Sequence, residues 1–157
     1  MFLNLDQILE LQLDHTSRCN LLCAQCCRTS QDWYKKSEHA NRDLSLSDYE
    51  ILLEPFRDSK LRVFHCGNYG DAIDETFEYN LKTTRGKVMV ITNGALRSSE
   101  WWTDFAHKGG DRLKVAFSID GLEDTNHIYR VGARWDKLMD NVASFIRAGG
   151  NARWDFL

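Results

Sequence analysis

The hydrophobic period of this chain switches repeatedly between two and about 3.6, with short connections between the segments. Residues 8–14 alternate, with Leu9, Leu11 and Leu13 on one face and Glu10, Gln12 and Asp14 on the other, as in a strand with one apolar and one polar side. Further strands are expected over 61–66, 87–92 and 113–119, and a fifth begins at Arg153 and runs to the end of the sequence. Helical stripes lie between them. The first, Tyr49, Leu52, Leu53 and Phe56, is opened by a Ser47-x-x-Glu50 capping box and closed by Pro55. A short stretch carries Phe77 and Leu81. A third helix, capped at Ser98 or Ser99, carries Trp102, Phe105 and Ala106 and stops at Gly109-Gly110. The clearest spans 135–148 with Leu138, Met139, Val142, Phe145 and Ile146. A β-α-β-α-β-α-β-α-β order with short connections specifies a parallel sheet with right-handed crossovers.

Two architectures satisfy that order: an open doubly wound sheet and a barrel-like one. The polar residues at alternate positions of the first and fourth strands favour a curved sheet with a wet interior, because a sheet covered by helices on both faces reads as continuous apolar runs. In both, the functional site lies at the carboxyl ends of the strands. The 157 residues fit one domain, and 43% hydrophobic with 27% charged residues is a globular mix. A formal charge of −3 supplies no basic field for nucleic acid, no apolar run reaches the ~18–20 residues of a membrane span, and the first ten residues are acidic where a signal peptide is basic. A cytoplasmic protein without membrane or nucleic-acid partners is the expectation.

The unusual residues fall at the expected strand ends. The chain has five cysteines, an odd count, and four of them crowd between positions 19 and 27, which makes a poor disulfide framework. Cys19, Cys23 and Cys26 form Cys-x3-Cys-x2-Cys after the first strand. Three such thiolates hold one face of an iron–sulfur cluster and leave one iron open. Alternatively they form a zinc knuckle, which needs a fourth ligand such as Cys27, Cys66 or His65, or they are unreactive core cysteines. After the second strand, Gly67-Asn-Tyr-Gly70-Asp71-Ala72 reads as a turn letting backbone approach a ligand closely, or as a plain βα turn. Asn93 closes the third strand. Ser118 and Asp120 end the fourth, where Ile-Asp-Gly is also an ordinary turn signal. Arg130 alone reads as a solvated surface arginine, and His15 as a hydrogen-bonded structural residue.

The cysteine loop resembles that of the radical S-adenosylmethionine (radical SAM) superfamily, whose Cys-x3-Cys-x2-Cys motif follows the first strand of a partial (β/α)6 barrel. The resemblance implies an α/β fold, a partial (β/α) barrel truncated after about four βα units plus a fifth strand, with residues 1–157 forming a core domain incomplete at its C-terminus. It implies that Cys19, Cys23 and Cys26 bind a [4Fe–4S] cluster whose open iron chelates the amino and carboxylate groups of S-adenosyl-L-methionine. One electron then cleaves the sulfonium to a 5′-deoxyadenosyl radical that abstracts a substrate hydrogen. It places Gly70 and Asp71 in the Gly-Gly-Glu-Pro type motif that holds the methionyl amino group, Ser118 and Asn93 against the ribose or methionyl part, and Arg130 against the cofactor carboxylate. No residue is assigned an acid, base or nucleophile role. Two departures stand out: Gln25 replaces a residue that is commonly aromatic, and Ala72 replaces the proline. The implied partners are an electron donor such as flavodoxin or ferredoxin and a substrate, peptide or protein or small molecule, that the scaffold does not specify. The competing reading is a non-enzymatic zinc- or iron–sulfur-binding module, or an inactive piece of such an enzyme.

Overall fold

A computed structural model describes residues 4, 7–38 and 40–156. Five strands, β1 (Glu10–Leu13), β2 (Arg62–His65), β3 (Val88–Thr92), β4 (Leu113–Ser118) and β5 (Asn151–Asp155), form one sheet in the order β1-β2-β3-β4-β5. Every pairing is parallel. The order never reverses, so the sheet has no topological switch point of the doubly wound kind. Right-handed crossovers in a constant direction place the connecting helices on one side of the sheet. The fold is an α/β partial barrel.

Register shows how the two faces divide. Val63, Val88, Leu113 and Val115 are buried on the face that meets the helices, together with Val90 and Phe117. The alternate positions Glu10, Gln12, Arg62, Lys114 and Arg153 lie on the inner face, where Arg62 pairs with Glu10 at 2.7 Å and Arg153 with Asp155 at 2.5 Å. Phe64, Met89, Ile91 and the buried Ala116 share that face, so its polar positions lie mainly on the outer strands.

Among the described residues seven α-helices occur, in chain order: α1 (Cys27–Ser30), α2 (Asp32–Lys35), α3 (Leu46–Leu53), α4 (Glu75–Thr83), α5 (Ser99–Gly109), α6 (Asn126–Tyr129) and α7 (Trp135–Arg147). Trp102 of α5 is fully buried and meets Phe117 of β4 and Phe145 of α7, ring centroids 5.2 and 5.9 Å away. Ser98 caps α5 as expected. The cap of α3 is Ser45, not Ser47: its hydroxyl oxygen accepts the Asp48 N–H, so the box starts two residues early. A 3-10 turn carrying Pro55 ends that helix. The polar stretch 28–43 contains α2 and returns to the sheet through an antiparallel bridge, Thr16 to Asp43. β5 starts at Asn151 rather than Arg153, and Leu157 lies outside the described residues. Among the described residues no helix is long and apolar enough to cross a membrane.

Behind the first two strands runs a buried polar chain. Asn80 donates through Nδ2 to His65 Nε2 at 2.8 Å; His65 Nδ1 meets His15 Nδ1 at 3.0 Å; His15 Nε2 meets Asp74 Oδ1 at 2.8 Å. Since Asn80 can only donate there, one tautomer assignment satisfies the set: His65 carries its proton on Nδ1 and His15 on Nε2. Asp74 also caps α4 by accepting the Phe77 N–H. His15, expected to be structural, thus ties the end of β1 to β2 and α4.

Burial, reinforced by the neighbouring His15 ring, holds the His65 imidazole well below its ordinary range. Below about pH 6.5 the unfolded chain binds a proton at this residue that the folded chain refuses, so stability falls with acid. We expect urea midpoints to drop between pH 7 and pH 5, with a contribution approaching ~1.4 kcal/mol per pH unit from this group. His65→Gln should be less stable at pH 7 yet show a flatter pH dependence. An equally steep dependence in the variant assigns the acid sensitivity elsewhere.

Candidate functional site

Eight of the residues singled out in the sequence line one cavity of about 320 Å³ at the carboxyl ends of the strands: Cys19, Cys23 and Cys26; Gly70 and Asp71; Asn93; Ser118; and Arg130. Asp120 and His15 lie outside its lining. The volume lies at the lower end of the ~300–1,000 Å³ of small-molecule sites. A larger cavity of about 560 Å³, walled by Trp33, Tyr34 and Tyr69, contains no cysteine.

The loops are held to each other before they are held to anything else. Gly70 packs so tightly on the cysteine loop that a Cβ there would sit 2.5 Å from the Thr16 carbonyl oxygen and 2.6 Å from that of Arg18. The Asp71 N–H donates to the Arg18 carbonyl at 2.7 Å. The Asp71 carboxylate turns away from solvent and accepts from the Thr92 hydroxyl at 2.9 and 3.0 Å, from the Asn93 N–H at 2.8 Å and from the Ile73 N–H at 3.3 Å. Burial pushes its pKa up, against the pull of these donors. Asn93 continues the chain by donating through Nδ2 to Asn20 Oδ1 at 2.9 Å and toward Cys19 Sγ at 3.6 Å. The loops after β1, β2 and β3 are thereby one hydrogen-bonded unit.

Donors surround the sulfurs. Cys19 Sγ receives the Leu21 N–H at 3.4 Å, and Cys23 Sγ receives Arg130 Nη1 at 3.7 Å. Burial pushes both thiols up, and these same donors pull them back. Arg130 is no solvated surface residue: its side chain is 13% exposed, and its Nε donates to Asp120 Oδ2 at 2.5 Å. Ser118 sits opposite Asp155 in the β4–β5 register, and both face the cavity. Gln25, in the departure noted above, is exposed.

Several cavity residues carried no sequence signal. Asp155 reads as part of a strand, and Tyr129 belongs to α6, a short helix that the sequence did not announce. Cys27 and Cys66, which the sequence offered as fourth ligands of a zinc knuckle, do reach the cavity, and burial raises both thiols. Asp120, read as a turn former, is the partner of Arg130.

Among the described residues no three His, Cys, Asp or Glu side chains converge as they would around a single metal ion. A closed zinc knuckle requires such convergence, since Zn–S bonds of about 2.3 Å pull all four ligands close together. Thiolates of a multi-iron cluster bind different irons and stand further apart.

No protein-family model matches the chain. Among curated proteins it is 28% identical over 126 residues to the tungsten-containing aldehyde ferredoxin oxidoreductase cofactor-modifying protein of Pyrococcus furiosus, a match covering 78% of this chain and 33% of that protein. Among solved structures it is similar to Streptococcus suis SuiB bound to S-adenosylmethionine (TM-score 0.68, 20% identity, 95% of this chain and 34% of that one). It is also similar to native anSMEcpe with bound AdoMet (0.65, 18%, 92% and 43%) and to BtrN in complex with AdoMet and 2-DOIA (0.59, 14%, 94% and 56%). The chain spans about a third of its curated relative and between a third and just over half of these neighbours. These neighbours are radical SAM enzymes, and the fold of this chain is that of their core.

Gly70→Ala should force the two loops apart at a cost of about 1–3 kcal/mol. Amide hydrogen exchange over residues 16–26 is expected to quicken by about tenfold or more while α7 keeps its protection. Unchanged exchange in the cysteine loop would show that Gly70 does not set this packing.

Proposed function

We propose that this chain is the core of a radical SAM enzyme, in which Cys19, Cys23 and Cys26 hold a [4Fe–4S] cluster and the cavity beside them receives S-adenosyl-L-methionine. The observation that carries the reading is the convergence of three cysteines, a docked glycine loop, an asparagine, a serine and an arginine on one cavity, from loops after four successive strands. The AdoMet-bound neighbours share the fold that brings them there.

When bound, the cluster and its cofactor supply one electron and a carbon radical that removes a substrate hydrogen. The protein supplies the geometry. The thiols bind as thiolates, so loading releases protons and is favoured as pH rises. The N–H groups of Leu21, Asn93 and Arg130 compensate the charge gathered on sulfur. The guanidinium of Arg130 carries the permanent charge that suits a carboxylate on the cofactor. Asp71, with its carboxylate already engaged by Thr92, Asn93 and Ile73, acts by fixing the loop, so the backbone around Gly70 is what faces the methionyl end. Ser118 and Asp155 offer oxygen atoms at the far wall.

The substrate belongs to a peptide or protein, or is a small molecule. SuiB has been seen bound to precursor peptide SuiA and BtrN with 2-DOIA, so the shared scaffold does not choose. A small electron-transfer protein such as flavodoxin or ferredoxin fits the need for one electron.

Anaerobic reconstitution with iron and sulfide should yield a brown chain with close to four irons per polypeptide, as [4Fe–4S] stoichiometry demands. Cys23→Ala should lose the colour and most of the iron. With a strong reductant, the loaded chain should release 5′-deoxyadenosine and methionine from S-adenosyl-L-methionine. A colourless chain that takes up one zinc and no cluster rejects the proposal.

A further inference from the structure

Arg130 makes two contacts with one planar group. Nε donates to Asp120 Oδ2 at 2.5 Å, and Nη1 faces Cys23 Sγ at 3.7 Å. Asp120 lies two residues beyond the end of β4 and Arg130 just after α6, so a carboxylate from one loop fixes a guanidinium from another. The Asp120 side chain is 5% exposed, and the Tyr129 ring lies 5.4 Å from the guanidinium carbon. The sulfurs are served unequally. Cys19 receives neutral donors, the Leu21 N–H and the Asn93 amide, whereas Cys23 receives the charged one.

We propose that Asp120 is a positioning residue that acts through Arg130: it aims the guanidinium at Cys23 Sγ and so raises the reduction potential of a cluster held by that cysteine. This rests on the radical SAM reading above. Reduction adds an electron to the irons and their thiolates. A fixed cation donating N–H to a ligand sulfur stabilises that added charge, and hydrogen bonds to sulfur with net charge set cluster potentials. Asp120 taken as a bare negative charge has the opposite consequence: it would disfavour reduction, and removing it would raise the potential. The sign of the shift therefore separates a residue that works through Arg130 from one that merely stands nearby.

The test is an anaerobic redox titration, followed by electron paramagnetic resonance, of the iron- and sulfide-reconstituted chain without substrate. Asp120→Ala is expected to lower the one-electron reduction constant by about tenfold or more, a fall of about 59 mV. Asp136→Asn, in the exposed pair with Arg134, should leave the potential in place. A rise, or no movement, in Asp120→Ala at wild-type iron content overturns the assignment. If Asp120→Ala does not fold or load, Asp120→Ser, whose shorter side chain cannot reach Arg130, decides at full iron content: a fall of similar size supports the assignment, and a rise or an unmoved potential overturns it. A wild-type chain that takes up no cluster overturns the functional reading itself, and loaded chains with unmoved potentials overturn only this one.

Discussion

The Asp71 carboxylate lies buried where three strand-end loops meet, and it is the group on which the site's shape depends. It accepts from the Thr92 hydroxyl and Asn93 N–H after β3, while its own N–H donates to the Arg18 carbonyl ahead of the cysteines. A carboxylate in that position is costly to bury, and its raised pKa reflects the cost. Several donors converge on it and offset that cost, and the same donors make the arrangement specific, because a neutral amide there would turn an N–H toward one of them. Gly70, one residue earlier, removes the side chain that would hold the loops apart. Two adjacent residues of the cavity lining thus lock the loops around it.

The buried histidines anchor the same region from behind. His15 immediately follows the loop's first polar residue, Asp14, and its ring is fixed by Asp74 and His65, so the chain enters the cysteine loop from a rigid point. Asp14 in turn accepts from the N–H and the side-chain amide of Asn68 in the glycine turn. Structural precision at the thiols comes from polar contacts on both sides of the loop, since the loop itself contributes few buried apolar side chains beyond Leu21 and Cys23.

The sheet and its main helices were legible in the sequence because they depend on periodicity, which is local. Features that depend on distant partners were not. Asp120 next to a glycine has the form of a turn residue, and nothing within a strand or helix period of it announces Arg130 ten positions on. Ser45 and Ser47 both stand three residues before an acidic side chain, so the capping rule fits either register, and the fold takes the earlier one. β5 begins at Asn151, a poor strand former, because pairing with Lys114 of β4 outweighs intrinsic preference. The cysteine spacing carried the site, and the remaining candidates were legible by their place at strand ends. How Asp71 is used, inward as a brace, depends on a hydroxyl 21 positions away.

The constant direction of winding has a consequence for chemistry. In a doubly wound sheet, helices cover both faces and a ligand is confined to the crevice at the switch point. Here one face packs on helices through Val88, Val90, Val115 and Phe117, and the other carries Glu10, Arg62, Lys114 and Arg153 around an apolar middle of Phe64, Met89, Ile91 and Ala116. Arg62 and Arg153 are each neutralised by a carboxylate on that same face, Glu10 and Asp155, so the wall is charged in detail yet nearly balanced in sum. Loops at one end of a one-way sheet follow one another in sequence order, which is why residues 19 to 155 meet around a single cavity.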